Sequence, residues 1–403
     1  MINKNMKMSK IKRDLILTSS SPSHDLSNLL FLSKYSKNLK SYSIHFFYFL
    51  NKPSKYINNN PEEIYKFIKN PNMKFIKIES NYFSRLYGFF IINKIIFKTF
   101  LKNKLNILQM RKQNFSLLVI QPRPYWLKER FGILSKLILN YETIIVGDGV
   151  GSECLTKKPF WLKKNHRNEF TNEKIIYSYF IFSTSRDKKS YKQKNSNFYK
   201  YTINESKNCF KDYSNFLLSS PVGNKLNSFV ENIIFNTDQI YFLLTSTFSE
   251  YGRCSLNEEI NLYRKELKNL LSSFNFKRIL IKPHPLSSIK KKNLLLNLQE
   301  EINLSQDNHF DKDTISKNFE LITYIPIEVL TTLFINKGIK INILSSSAAL
   351  IPSLYAFSDI NYKILFGRKK IENSFINKDE ILKRNKQEDI IKIICSNIKK
   401  QSK

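Results

Sequence analysis

Arg278-Ile279-Leu280-Ile281-Lys282-Pro283-His284-Pro285 is the stretch that decides the fold. Its apolar run has the length of a buried strand and stops at an imidazole bracketed by two prolines. Pro283 and Pro285 restrict the backbone on both sides and withdraw two amide donors, which the interior of a strand does not tolerate. The strand therefore ends here, with His284 at its carboxyl edge, where open α/β sheets bind ligands. An imidazole at that edge is a titratable group in a fixed place. Two other segments repeat the layout: Thr143-Ile144-Ile145-Val146 runs into Gly147-Asp148-Gly149, and Lys340 to Leu344 runs into Ser345-Ser346-Ser347-Ala348-Ala349. A carboxylate, an imidazole and a hydroxyl-rich helix start thus stand at three strand ends.

The flanking sequence extends the same pattern in both directions. Toward the N-terminus it predicts strands at Arg13–Ser20, Ser41–Leu50, Lys74–Ile78 and Ser116–Ile120, with helices at Asp25–Tyr35 and Glu62–Lys69. Toward the C-terminus it predicts strands at Ile240–Thr245, Leu321–Tyr324 and Ile341–Leu344, a helix at Leu256–Ser272 and a helical tail at Asp379–Lys399. Strands that alternate with helices build βαβ units and a mainly parallel sheet, so the fold class is α/β. The polar, Lys-rich stretch Ser185–Ser214 reads as a surface loop or insertion. The expected organisation is therefore a Rossmann-like domain over residues 1–225, a second over 226–375 and a helical segment over 376–403.

A chain of 403 residues exceeds one ordinary core, and 42% hydrophobic with 14% aromatic residues supplies two. The formal net charge of +33 has two readings. Lys, Asn and Ile are abundant together and the lysines are scattered, which is a compositional bias without a partner. Read as a partner signal, the excess points to an anionic membrane or an acidic glycan ahead of nucleic acid. Cys154, Cys209, Cys254 and Cys395 form no CxxC or Cys-His cluster, so neither a zinc site nor a disulfide framework is implied, and no metal ligands are assigned. With no apolar stretch of signal-peptide type near the start, the expected location is cytoplasmic. Leu86–Leu108 is apolar but interrupted by Lys94, Lys98 and Lys102. It reads either as an amphipathic helix packed on its own domain or as one lying on an anionic bilayer at the inner face of the cytoplasmic membrane.

The short acidic-Gly turn at Asp148, the Lys282-Pro283-His284-Pro285 motif and the later serine cluster, in that order, resemble bacterial sialyltransferases of the polysialyltransferase and lipooligosaccharide sialyltransferase type. Arg13 to Ser20 as an opening strand and turn, and Ile325-Pro326-Ile327-Glu328 between the second and third motifs, agree with the same family. In that family the acidic turn carries two acidic residues before glycine. Here Gly147 holds the first place and Asp148 is the one candidate base. The resemblance implies a GT-B architecture, two Rossmann-like domains facing across a cleft with a C-terminal helix crossing back to the first. It also implies an inverting, metal-independent transferase with CMP-sialic acid as donor substrate, a glycan as acceptor and no other cofactor.

Each candidate residue has a functional and a plain reading. Asp148 is the general base for an acceptor hydroxyl, or part of an ordinary Gly-Asp-Gly turn. His284 stabilises the leaving phosphate as imidazolium or proton donor, or is a buried histidine beside a turn. One of Ser345, Ser346 and Ser347 caps a helix whose open amides bind phosphate, or caps it without a ligand. Glu328 receives two ribose hydroxyls, as the resemblance implies, or faces solvent in a first turn. Lys282 pairs with a phosphate or a substrate carboxylate, and Pro283 and Pro285 shape the same donor-binding turn. Ser19 and Ser20, at the first strand end, are placed to touch the donor. Two rivals stay open: transfer of another CMP-linked acidic sugar such as Kdo, and a basic nucleic-acid-binding protein, which requires a continuous basic face with interleaved aromatics.

Overall fold

The computed structural model describes residues 14–39, 42–50, 61–65, 73–79, 81–108, 117–122, 141–147, 173–180, 197–235, 237–273, 278–304 and 312–401. The chain divides into two compact units, Met1–Glu205 and Ser206–Lys403. Both are Rossmann-like.

The first unit contains β1 (Asp14–Ser19), α1 (Pro22–Leu39), β2 (Ser43–Phe49), α2 (Pro61–Ile64), β3 (Met73–Ile78), α3 (Tyr82–Leu108), β4 (Leu117–Gln121), β5 (Tyr141–Gly147), β6 (Glu173–Phe180) and β7 (Asn197–Lys200). The strands form one parallel sheet in the order β3-β2-β1-β4-β5-β6-β7. The order reverses between β1 and β4, the switch point at which such sheets bind ligands. Leu15, Ile16 and Leu17 of β1 are fully buried, as a near-continuous apolar run in a sheet covered on both faces requires.

After α4 (Ile203–Leu218) and α5 (Gly223–Ile234), the second unit runs through β8 (Gln239–Leu244), α6 (Leu256–Ser273), β9 (Ile279–Lys282), α7 (Ile289–Leu304), α8 (Lys312–Tyr324) and α9 (Ile327–Asn336). It ends with β10 (Lys340–Ser345), α10 (Leu350–Ala356), β11 (Asn361–Ile364), α11 (Arg368–Ser374) and α12 (Lys378–Gln401). The parallel order β11-β10-β8-β9 is the 2-1-3-4 pattern read from the other edge, with its switch point between β8 and β10. The tail helix α12 packs on α10 and α11 of its own unit.

Three expectations change. Leu321–Tyr324 is the last turn of α8 and not a strand. Its residues are buried on every side, and a short apolar run cannot by its pattern distinguish a buried strand from a buried helical turn. The Thr323 hydroxyl donates to the Phe319 carbonyl four residues back, which only a helix allows. Within the stretch read as a loop, Asn197–Lys200 form β7 and residues 203–214 belong to α4, whose buried face includes Cys209, Phe210, Tyr213 and Leu217; residues 185–196 lie outside the described residues. The division of the chain falls at Glu205/Ser206, upstream of the expected 225/226. The apolar face of α5, Leu226, Phe229, Val230 and Ile233, is buried, and α5 packs on α8 and α9 of the second unit.

Candidate functional site

Three strand ends of the second sheet meet beside its switch point. The carbonyl of Lys282, the last residue of β9, accepts the Thr245 amide, and the His284 amide donates to the Thr245 hydroxyl at 3.0 Å. β8 and β9 are thereby locked together one residue past their ends. The chain then turns, with the Ser287 amide on the His284 carbonyl and the Leu286 amide donating to His284 Nδ1 at 3.2 Å. A backbone amide only donates, so Nδ1 is an acceptor and the proton of the neutral ring sits on Nε2. Burial, together with the cations Lys282 and Lys291, pushes the imidazole down to about 4 against the opposing pull of Glu250. At neutral pH the group is an uncharged hydrogen-bond donor. Of the two expected roles, imidazolium and proton donor, the charged one is not its resting form.

The β8 end is held from beneath. The Ser246 amide donates to the Tyr263 hydroxyl at 2.7 Å, while Lys291 Nζ donates to the Ser246 carbonyl, to Glu259 at 2.7 Å and to Glu250 at 3.0 Å. Glu259 also accepts the amide and hydroxyl of Ser249, and Glu250 accepts the Ser288 amide. Lys291 and Glu259 are fully buried as a pair, which holds only because hydrogen bonds satisfy the remaining polar atoms.

The β10 end is a serine turn closed on itself. Ser345 Oγ donates to the Ser347 carbonyl and accepts the Ser347 amide, both at 2.9 Å, and the Ser347 hydroxyl accepts the Ala349 amide at 3.0 Å. Ser345 and Ser346 are fully buried, so Ser347 is the accessible member. The expected cap is corrected: Ala349 occupies the N-cap of α10, no side chain caps that helix, and the hydroxyls close the turn before it. Two residues brace Ser346. Tyr263 approaches its hydroxyl at 3.4 Å, and the Arg384 guanidinium from α12 donates to its carbonyl. Arg384 also pairs with Glu388 at 3.2 Å and lies over the Phe248 ring, with centroid distance 5.0 Å. Phe366, which follows the β11 end, has φ 67, a conformation uncommon for a bulky side chain, and its ring packs against Phe248 and Tyr263.

Lys282 is employed differently from the sequence expectation. Its ammonium is buried and donates to the carbonyls of Ile322 and Thr323, at 2.7 and 3.1 Å, where α8 ends. A lysine at a helix C-terminus satisfies orphan carbonyls and the dipole. Burial lowers it to about 7, and the Glu328 carboxylate opposes that shift. Glu328 is itself buried in the first turn of α9, which removes the solvent-facing reading. Pro283 is buried and Pro285 exposed.

In the first unit, Ser19 and Ser20 stand at the carboxyl end of β1, beside that sheet's switch point. The Ser19 hydroxyl donates to Asp25 at 2.7 Å, joined by Tyr48 at 2.7 Å and Tyr65 at 3.0 Å, and Ser20 pairs with His24 at 3.0 Å. Burial lifts the Asp25 carboxyl to about 6 despite these three donors. Asp148 and Gly149 lie outside the described residues, while Gly147 closes β5 and its carbonyl accepts the Ser27 hydroxyl at 3.3 Å.

Sequence reasoning missed the polar support of the site: Glu259, Tyr263, Lys291 and Arg384. One signal was present. Glu259, Tyr263, Glu266 and Leu270 fall in one line at helical spacing and are all buried, so acidic groups sit on the apolar face of α6.

The topology and the strand-end cluster define a protein of two Rossmann-like units with a polar, histidine-bearing cluster at the ends of β8, β9 and β10 in the second. No family model and no curated protein matches the chain. Among solved structures it is similar to a 2,6-sialyltransferase of a Vibrionaceae Photobacterium species, in complex with CMP and lactose. The identity is 11%, the match covers 95% of this chain and 77% of that one, and the TM-score is 0.47. It is also similar to a glycosyltransferase from Rickettsia africae, at 13% identity over 96% of this chain and 92% of that one with TM-score 0.42. A third similar structure is TcCGT1 in complex with UDP, at 10% identity over 97% and 94% of the two chains with TM-score 0.41.

Proposed function

We propose that the chain is an inverting glycosyltransferase that moves sialic acid from CMP-sialic acid to a hydroxyl of a surface glycan. One observation carries the reading: His284 is fixed at a strand end beside the switch point of the second sheet by the 3.0 Å bond to Thr245, with Nδ1 occupied by a backbone amide and Nε2–H left as the ring's donor. A neutral, preoriented donor beside a leaving phosphate gains most as negative charge develops there. The motif order of the acidic turn, Lys-Pro-His-Pro and the serines supports the same reaction class.

In the proposed reaction the acceptor oxygen attacks the anomeric carbon of the sugar and Asp148 takes its proton. The bond from that carbon to the phosphate oxygen breaks, and CMP departs with the electron pair while Nε2–H donates to its phosphate. The transition state has oxocarbenium character, as in sugar hydrolysis. Ser347 and Glu328 serve the nucleotide, and neither a metal nor another cofactor takes part.

The test is CMP release from CMP-sialic acid by the full chain, His284→Ala and Asp148→Ala, with CMP-Kdo as a parallel donor. Each substitution is expected to lower turnover about a hundredfold or more, the usual contribution of a positioned acid or base. Faster release from CMP-Kdo reassigns the sugar. Turnover that survives both substitutions overturns the site.

A further inference from the structure

The helix α3 is apolar on two opposite faces, and among the described residues only one of them is covered. On the inner face, Ile92 and Ile95 are buried against Ile76, Ile78, Phe47, Val119 and Ile16, with Phe89 and Ile91 packed on the same cluster. On the outer face, Phe83, Tyr87, Phe90, Phe97 and Leu101 recur at steps that keep them on one side of a helix. Their exposures are 80% for Phe83, 62% for Phe90 and 60% for Phe97. Soluble proteins rarely expose a contiguous aromatic row of this kind unless something binds it.

Charge decides what covers it. Lys94 and Lys98 fall within the same row and are exposed. The sequence of α3 has no Asp or Glu, and the whole chain is +33. Two charged side chains inside an apolar row disfavour a protein partner's dry interface, where lysine is depleted. They match a phospholipid surface, where rings sink to the acyl boundary while lysine stems run upward and leave their ammonium groups among anionic headgroups. Among the described residues no single helix is long and apolar enough to cross a membrane. We infer that the outer face of α3 is a peripheral docking surface for an anionic phospholipid bilayer. This assignment is independent of the reaction proposed above.

The experiment is flotation of the full chain with vesicles of phosphatidylcholine alone and of phosphatidylcholine with phosphatidylglycerol. The control variant Phe83→Ser/Phe90→Ser/Phe97→Ser keeps the net charge, and its folding is checked by circular dichroism. The full chain is expected to float with the anionic vesicles at least tenfold better than with neutral ones, and the triple variant to lose at least tenfold of that binding. Lys94→Glu/Lys98→Glu is expected to lose a similar share. Equal flotation of the folded triple variant means that overall charge binds the lipid, and it overturns the assignment. So does a full chain that ignores both vesicles but forms a dimer which the triple variant abolishes, because the row is then an interface between copies.

Discussion

His284 is held neutral by its surroundings, and that determines how it responds to pH. Its unfolded value is about 6.5, whereas burial and two nearby cations bring the folded value down to about 4. Because the folded value lies below the unfolded one, the ring's contribution to stability is complete above about 6.5 and is lost as pH falls through about 4. A phosphate beside Nε2 reverses the local balance and stabilises the protonated ring. In NMR titrations the His284 Cε1 proton is therefore expected to show a midpoint near 4 in the free protein and a higher one with CMP. CMP affinity is correspondingly expected to rise as pH falls toward the free midpoint. A midpoint that CMP leaves unchanged removes His284 from the phosphate site. At this scale the sequence was legible where constraint was local: the prolines around His284 mark a strand end without further context. It was not legible for Lys282, whose partners Ile322 and Thr323 lie far along the chain, nor for the burial of Glu328.

Strand ends and helix starts were readable as elements because their signals are short. β8, β9, β10 and α6 follow directly from apolar runs and breakers, whereas the buried last turn of α8 has the composition of a strand and was read as one. The role of α12 was not legible, because Arg384 looks like any surface arginine in a helix dense in charge. In the fold, Arg384 and Glu388 are 4% and 0% exposed, and burial lowers the guanidinium's proton affinity and raises the carboxylate's. Both directions mean that desolvation outweighs the attraction of the pair. Arg384→Met leaves the buried Glu388 with the half-exposed Lys392 ammonium, 4.0 Å from its other oxygen, as a cation partner, and costs up to about 3–5 kcal/mol, while replacing both Arg384 and Glu388 with apolar residues costs much less. Urea unfolding of Arg384→Met, Glu388→Met and the double variant is expected to place the double variant above the Arg384 single. CMP binding is expected to weaken in every variant lacking Arg384, since the Ser346 carbonyl loses its brace. A double variant no more stable than the Arg384 single shows that the pair is not what holds α12 to the serine turn.

Over the whole molecule, alternating periodicity was enough to indicate two parallel sheets, but the place where one unit gives way to the next was not. The boundary lies inside the first turn of α4, where Thr202 and Glu205 form a capping box: the Thr202 amide donates to Glu205 at 2.8 Å and the Glu205 amide to the Thr202 hydroxyl at 3.1 Å. A polar Lys- and Asn-rich flank concealed this start. The second unit has its own sheet, its own buried core and every strand-end group that the donor reading uses except Asp148, Ser19 and Ser20. A unit of this size commonly folds alone. The fragment Thr202–Lys403, which keeps the capping box, is accordingly expected to unfold cooperatively in urea and to bind CMP within about threefold of the full chain, while releasing none from CMP-sialic acid because it lacks Asp148. Cutting at residue 226 instead removes α4 and the start of α5, whose buried face packs on α8 and α9 of this unit, and is expected to give an unfolded product by circular dichroism. A folded Thr202 fragment that fails to bind CMP would mean that the nucleotide site needs groups from the first unit, and the assignment of the donor to the ends of β8, β9 and β10 would fall.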